Sequence, residues 1–109
     1  MIATKLAQPV AAYIAAANAR DVDAVTACFS SAALVHDEKR ERRGIAAIRE
    51  WVVEVSERYR PTVEVLGVAE RDGWTVVTGR VSGNFPGSPA ELRYAFAVSG
   101  GKIDRLEIG

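Results

Sequence analysis

The stretch from Ala33 to Trp51 constrains the fold of this chain more than any other part. It begins as a short apolar strand that ends on Asp37, which is the first of seven consecutive charged residues that extend as far as Arg43. After Gly44 the spacing of apolar residues becomes that of an amphipathic helix. One segment therefore supplies a strand, a charged turn or hairpin arm and a helix start. We expect the rest of the chain to cover that strand and helix.

Three helices are predicted before residue 61. In the first, apolar residues recur at three- and four-residue spacing, and in the second Asp21 is a good N-cap. Pro61 ends the third, because a proline disfavours helical geometry in the residue before it. The predicted elements are the helix Gln8–Asn18, a short helix after Asp21 that includes Phe29 and stops at Ser30, the strand from Ala32 to Asp37, and the helix from Ile45 to about Tyr59.

The chain after Pro61 reads as antiparallel sheet. Asp72-Gly73 is a two-residue turn of the kind that joins hairpin strands, and Gly67 predicts a bulge. The predicted strands are Thr62 to Arg71, Trp74 to Phe85, Ala90 to Val98 and Lys102 to Ile108. In the third of these, Leu92, Tyr94, Phe96 and Val98 share one face.

Composition narrows the class of protein. The 109 residues suit one domain, spanning 1–109, and 49% hydrophobic residues can fill a core. The 14 basic and 14 acidic side chains cancel, which argues against nucleic acid or an anionic membrane as partner. No apolar run is long enough to span a membrane. The single cysteine, Cys28, cannot form an internal disulfide, and no signal peptide is evident, so we expect a cytoplasmic protein.

Helices followed by long, glycine-bent strands predict an α+β fold. We expect a cone-shaped, curved, mixed or antiparallel sheet that three N-terminal helices cover on one face. Such a cone has an apolar interior, where a small apolar or carbonyl-bearing molecule would bind.

The N-terminal half also resembles a known family, the nuclear transport factor 2-like superfamily, and within it the SnoaL-like domains and the small ketosteroid isomerases. The second half is similar only in strand order and in its last turn and strand, GGKIDRLEI. The residues that carry the resemblance are Tyr13, Asn18-Ala19, Asp21, Asp23-Ala24, Phe29, Ala33, Asp37 and the run from Gly44 to Trp51. The resemblance implies a cystatin-like or nuclear transport factor 2-like cone.

The resemblance also implies roles for three residues. Tyr13 falls where the isomerases have a tyrosine that donates to the substrate carbonyl, and Asp37 falls where they have the aspartate that moves the proton. Tyr94 falls where they have a second acid, so the oxyanion site would here consist of two phenols. Relatives commonly dimerise through the sheet. The outer face of the strand from Ala90, with small Ala95 and Ala97, fits that role.

The candidate catalytic residues are therefore Asp37 as acid/base and Tyr13 with Tyr94 as hydrogen-bond donors. A structural role is open for each: Asp37 could accept backbone hydrogen bonds, and both tyrosines suit a core. The predicted ligand contacts are Trp51, Phe85, Phe96, Phe29 and Val35.

Other reactive side chains are assigned structural roles. His36 alternates away from Asp37 and is expected to be a partly buried structural residue. Cys28 is expected to be a buried thiol, because nothing nearby would lower its pKa. We predict no metal site and no cofactor, since ligand clusters and nucleotide or phosphate motifs are lacking.

Three functions remain open: an isomerase or polyketide-cyclase-type enzyme, a non-catalytic ligand-binding or dimerising module, and a pocket filled by its own aromatic side chains.

Overall fold

The computed structural model describes residues 8–109, which form three helices and six strands. In chain order these are α1 (Gln8–Asn18), α2 (Val22–Ala27), β1 (Phe29–Asp37), β2 (Arg40–Arg43), α3 (Ile45–Tyr59), β3 (Thr62–Arg71), β4 (Trp74–Ser82), β5 (Ala90–Ser99) and β6 (Lys102–Ile108).

The six strands form one mixed sheet in the order β2-β1-β6-β5-β4-β3. β1 and β6 pair in parallel, and every other neighbouring pair is antiparallel. The last strand thus inserts between the first strand and the antiparallel meander β3–β5. The α+β class, the mixed sheet and the covering helices are as the sequence predicted.

Irregular pairing helps to bend the sheet. The register shifts between Val65 and Gly67 on β3, at the predicted bulge, and between Ala97 and Val98 on β5. A further shift lies on β1, between Phe29 and Leu34. An extra residue in one strand raises the local twist. The sheet therefore curves and offers a concave face to the helices.

The core lies between that concave face and the helices. Ile48 on α3 and Val10 on α1 are fully buried, as are Phe96, Ile103 and Leu106 on the sheet. Burial of each such side chain contributes about 1.5–3 kcal/mol. Within residues 8–109, no helix is both long and apolar enough to cross a membrane.

Two boundaries differ from prediction because of contacts distant in sequence. Phe29 was expected on the second helix, but it begins β1 and pairs with Ile103, whose N–H donates to the Cys28 carbonyl at 2.8 Å. β4 was expected to reach Phe85 but ends at Ser82. Beyond Ser82 the chain turns away from the sheet, and the Asn84 N–H donates to the Tyr59 carbonyl at the end of α3 at 2.6 Å. The charged run forms a hairpin arm, β2, which was one of the two alternatives.

The end of α1 is fastened to the start of β3 by Asn18. Its Nδ2 donates to the Val63 carbonyl at 3.0 Å, and its Oδ1 accepts from the Val63 N–H at 2.8 Å. Arg20, just beyond α1, donates from Nη2 to the Arg60 carbonyl at 2.6 Å. The acceptor lies at the C-terminal end of α3, where a positive charge is favourable. These contacts set the spacing between the two helices and β3.

Candidate active site in the cone

A cavity of about 710 Å³ lies between the concave face of the sheet and the helices, and it opens to solvent. Its wall is mostly apolar, as in Val55 on α3, Val81 on β4 and Leu92 on β5. Sites for small molecules are commonly about 300–1,000 Å³ and mainly apolar. The alternative in which aromatic side chains fill the pocket is therefore wrong.

Asp37 borders this cavity from the C-terminal end of β1. It stands directly before a turn in which Glu38 and Lys39 have φ of 54° and 64°. Its Oδ2 accepts a hydrogen bond from Nε1 of Trp51 at 3.0 Å. Partial burial raises the pKa of the Asp37 carboxyl, the Trp51 hydrogen bond opposes the rise, and the adjacent Glu38 adds to it. The net result is a pKa above the ordinary value.

Two phenols border the same cavity, Tyr13 from α1 and Tyr94 from β5. Each side chain is 5% exposed. Burial raises the pKa of both hydroxyls, and the charge of Asp37 raises both further. The nearby Tyr94 raises the pKa of Tyr13 more than Asp37 does. Both phenols are therefore neutral donors at pH 7, and both are close enough to Asp37 for its charge to affect their ionisation.

Of the predicted ligand contacts, Trp51 and Phe85 do line the cavity. Phe29, Val35 and Phe96 do not border it; these side chains lie in the buried core and are at most 4% exposed. The two phenylalanines instead support the phenols. Tyr13 packs edge-on against Phe29 and Phe96, with ring centroids 6.0 and 5.4 Å apart, and Tyr94 stacks on Phe96 at 6.4 Å.

Several lining residues were not predicted as site residues. The Tyr59 hydroxyl donates to Oε2 of Glu38 at 3.1 Å, and its ring meets Phe85 edge-on at 6.1 Å. His36 also lines the cavity, although simple alternation placed it on the face away from Asp37. Tyr59 borders the space from the last turn of α3, and His36 borders it from the end of β1. The signal for Tyr59 was its place in the apolar stripe of α3.

The remaining reactive groups lie outside this constellation. Cys28 is buried and lines a separate, smaller space, and burial raises the pKa of its thiol. Among residues 8–109, no three His, Cys, Asp or Glu side chains are grouped so as to hold a metal ion. The arrangement can thus offer one carboxylate base and two neutral phenol donors to a molecule in an apolar space.

Comparison with known proteins gives one family and many similar structures. The sequence profile of the SnoaL-like domain matches residues 10–106. No curated protein matches the chain. A candidate polyketide cyclase from Sinorhizobium meliloti, SMa1630, is 36% identical, with a TM-score of 0.92 and 95% of each chain covered.

Two more distant structures share the fold. A Catenulispora acidiphila protein with a ketosteroid isomerase-like fold, solved with trimethylamine, is 14% identical with a TM-score of 0.83, over 96% of this chain and 86% of that one. SalBIII, an epoxide hydrolase/cyclase-like enzyme in pyran ring formation in the polyether salinomycin, is 24% identical with a TM-score of 0.77, over 93% and 86%. At these identities only the fold is shown, and it confirms the resemblance expected from the sequence.

Proposed function

This chain belongs to the SnoaL-like domain family, and from that premise we propose that it is an enzyme of the isomerase or cyclase type. Its reaction moves a proton at a carbon next to a carbonyl group. The substrate is a small, largely apolar molecule that carries the carbonyl. The observation that supports this most is that Asp37, Tyr13 and Tyr94 border one mostly apolar cavity.

The proposed first step is proton abstraction by the Asp37 carboxylate. The carbon–hydrogen electron pair becomes the new carbon–carbon double bond, and the carbonyl π pair moves onto oxygen. Tyr13 and Tyr94 donate hydrogen bonds to the enolate oxygen that forms. Fixed donors at the position where charge develops stabilise the transition state more than the ground state.

The reaction can be completed by either of two alternative second steps. In an isomerase that acts on a β,γ-unsaturated carbonyl compound, the enolate is a conjugated dienolate, and the protonated Asp37 returns its proton to the γ-carbon as the carbonyl re-forms. In a cyclase, the enolate carbon attacks a second carbonyl of the same molecule, and the new alkoxide takes the proton from Asp37. Every proton in either route has a donor and an acceptor among Asp37 and the substrate, so no cofactor is required.

The environment of each group suits its role. The raised pKa of Asp37, which results mainly from its partial burial, makes it a stronger base than an exposed aspartate. The raised pKa of both phenols keeps them protonated. Because Tyr94 stands where the ketosteroid isomerases have an acid, steroid isomerisation is not proposed.

The test is exchange of α-hydrogens for deuterium in a panel of apolar ketones and diketones, followed by proton NMR in D₂O. Because general-base catalysis contributes about 10²–10⁴-fold, we expect Asp37→Asn to abolish most of the enhancement. Asp72→Asn is the matched control, since it makes the same chemical change in the exposed β3–β4 turn. Undiminished exchange by Asp37→Asn would end the enzyme proposal.

The alternative is a ligand-binding module without chemistry. It is favoured by the lack of a second acid at the position of Tyr94 and by the apolar wall. Trp51 lines the cavity, so ligand binding can be followed by its fluorescence. Saturable binding of a ketone by the wild type without any α-exchange would select this alternative.

We further propose that the protein is a homodimer, joined through the outer face of the sheet. On that face Ala95 and Ala97 pair with Val76 and Trp74 of β4, which gives a patch of apolar side chains. The Arg105 guanidinium covers the Trp74 ring at 5.8 Å, at the rim. Sedimentation velocity should give a dimer that Ala95→Arg dissociates. A wild-type monomer at high concentration would refute it.

A cytoplasmic location completes the proposal. It is supported by the free thiol of Cys28, the one cysteine of the chain. Recovery of the intact chain from outside the cell would contradict this location.

A further inference from the structure

We propose that Trp51 is the positioning residue for Asp37. Its indole N–H occupies Oδ2 of the Asp37 carboxylate, which leaves Oδ1 as the oxygen that exchanges a proton with the ligand. The inference deepens the proposed function, because it rests on Asp37 as the base. The hydrogen bond itself, at 3.0 Å between Nε1 and Oδ2, does not depend on any activity.

Asp37 needs such a support because of its place in the chain. It is the last residue of β1 and is followed by two residues with positive φ, at the tip of the hairpin. The second arm of that hairpin, β2, is only four residues long and forms the edge of the sheet. Strand ends and hairpin tips open locally more easily than the interior of a sheet.

α3 contacts the hairpin through three side-chain hydrogen bonds. Besides Trp51 to Asp37, Arg42 donates to Glu54 at 3.2 Å and Tyr59 donates to Glu38 at 3.1 Å. The Glu54 side chain is 61% exposed and the Tyr59–Glu38 bond is exposed to solvent, whereas Trp51 is 5% exposed. Exposed polar contacts contribute little because water competes for both partners. Trp51 therefore provides most of the restraint on the hairpin tip.

The chemistry of indole makes this contact directional. An indole Nε1–H can donate but cannot accept, so Asp37 can only be the acceptor. A hydrogen bond to an ionised acceptor is shorter and stronger than one to a neutral acceptor. The contact is therefore strongest while Asp37 is the free base, and it weakens once Asp37 has taken a proton. Trp51 orients the resting base and lets the protonated acid release its proton.

This role changes what Trp51 offers to a ligand. Its single N–H is committed to Asp37, so only the ring can contact a bound molecule. Trp51 therefore supplies no polar contact to a carbonyl oxygen, and the proposed donors to that oxygen are Tyr13 and Tyr94.

The first test uses the wild type and two NMR probes, the indole N–H signals and the Asp37 carboxyl carbon. The chain has two tryptophans, and Trp74→Phe identifies the Trp51 signal. We expect the Trp51 signal to move with pH at the same midpoint as the Asp37 carboxyl, and the Trp74 signal not to follow it. In Asp37→Asn the movement of the Trp51 signal should disappear. A Trp51 signal that ignores the Asp37 titration would overturn the proposal.

The second test is Trp51→Phe, which removes the donor and keeps an aromatic ring. Loss of a donor that favours the charged form should raise the pKa of Asp37 further. The other titratable groups that interact with Asp37, namely Tyr13, Tyr94, Tyr59, Glu38 and Arg42, are retained in this variant. The exchange rate should fall at least about tenfold, with its pH profile moved to higher pH.

Glu54→Ala is the matched control, because it removes another contact between α3 and the hairpin without touching Asp37. It should leave the Asp37 titration and the exchange rate near their wild-type values. An unchanged pKa of Asp37 in Trp51→Phe would overturn the proposal, and if that variant does not fold, the wild-type titration decides. Absence of exchange in a wild type whose Trp51 signal titrates with Asp37 would count against the proposed enzyme and not against this contact.

Discussion

The clamp between Asn18 and Val63 makes the strongest stability prediction. Asn18→Ala removes two hydrogen bonds, of 2.8 and 3.0 Å, and leaves the Val63 N–H and carbonyl without them. Val63 is 8% exposed, so water can replace them only partly. At about 1 kcal/mol for each bond, with a further penalty for each unpaired group, the free energy of unfolding should fall by about 2–4 kcal/mol. For a domain near this size, the melting temperature should fall by roughly 10–25 °C.

The assay is urea unfolding followed by circular dichroism, with Asn84→Ala as the matched control. The Asn84 side chain is exposed, and we expect its removal to change stability by less than about 0.5 kcal/mol. Asn18→Asp sharpens the test, because it keeps the acceptor for the Val63 N–H but points a charged oxygen at the Val63 carbonyl. Its deficit should be large at pH 7.

The deficit of Asn18→Asp should shrink on acidification, since the protonated carboxyl can donate again. The folded state then binds that proton more tightly than the unfolded state, so relative stability rises as pH falls. A loss below about 1 kcal/mol in Asn18→Ala, or a deficit in Asn18→Asp that does not vary with pH, would refute the role of the clamp.

Two further predictions concern the cavity, and a third concerns the packing of Gly83 against α3. The pKa of the Asp37 carboxyl is raised in the folded state, so its protonated form adds stability below its ordinary pKa, near 4, and this stability is lost as pH rises through the folded value. Asp37→Asn has no such proton to lose, so its free energy of unfolding should increase relative to that of the wild type between about pH 4 and 7. Urea unfolding measures this difference, and a difference that shrinks as pH rises would contradict the prediction. Gly83→Ala should lower the free energy of unfolding by about 1–3 kcal/mol, because the new Cβ would lie 2.5 Å from a backbone carbonyl of α3. Gly67→Ala is the control and should be tolerated, because the space around Gly67 is open. Equal melting temperatures of the two variants would refute this prediction. Tyr13→Phe and Tyr94→Phe should each slow α-exchange roughly 10–10³-fold with little change in ligand affinity, and an unchanged rate in both would remove the oxyanion role.

Much of the fold could be predicted because its signals are local. Pro61 ends α3, the Asp72-Gly73 turn joins β3 to β4, and the periodicity of α1 gives its boundaries. Phe29 was misplaced because a residue near the end of the chain, Ile103, decides its pairing. The early end of β4 was missed for the same reason, since a carbonyl of α3 draws Asn84 away from the sheet.

The candidate site could be predicted less completely from the sequence than the fold could. The resemblance pointed to Tyr13, Asp37 and Tyr94, which the structure brings to one cavity, while their catalytic role stays a prediction. Alternation indicates the face on which a side chain lies but not its depth. Phe96 and Val35 lie beneath the wall for that reason. The Trp51–Asp37 hydrogen bond could not be anticipated, because it depends on how far α3 sits from the end of β1.

The parallel pairing of β1 with β6 also has a consequence for biosynthesis. β6 emerges from the ribosome after all other strands, yet it lies between the segment that carries Asp37 and the meander that carries Tyr94. Until it arrives, these two parts of the nascent protein have no strand through which to join. We expect the cavity to assemble only after translation of residue 108, as one late and cooperative event.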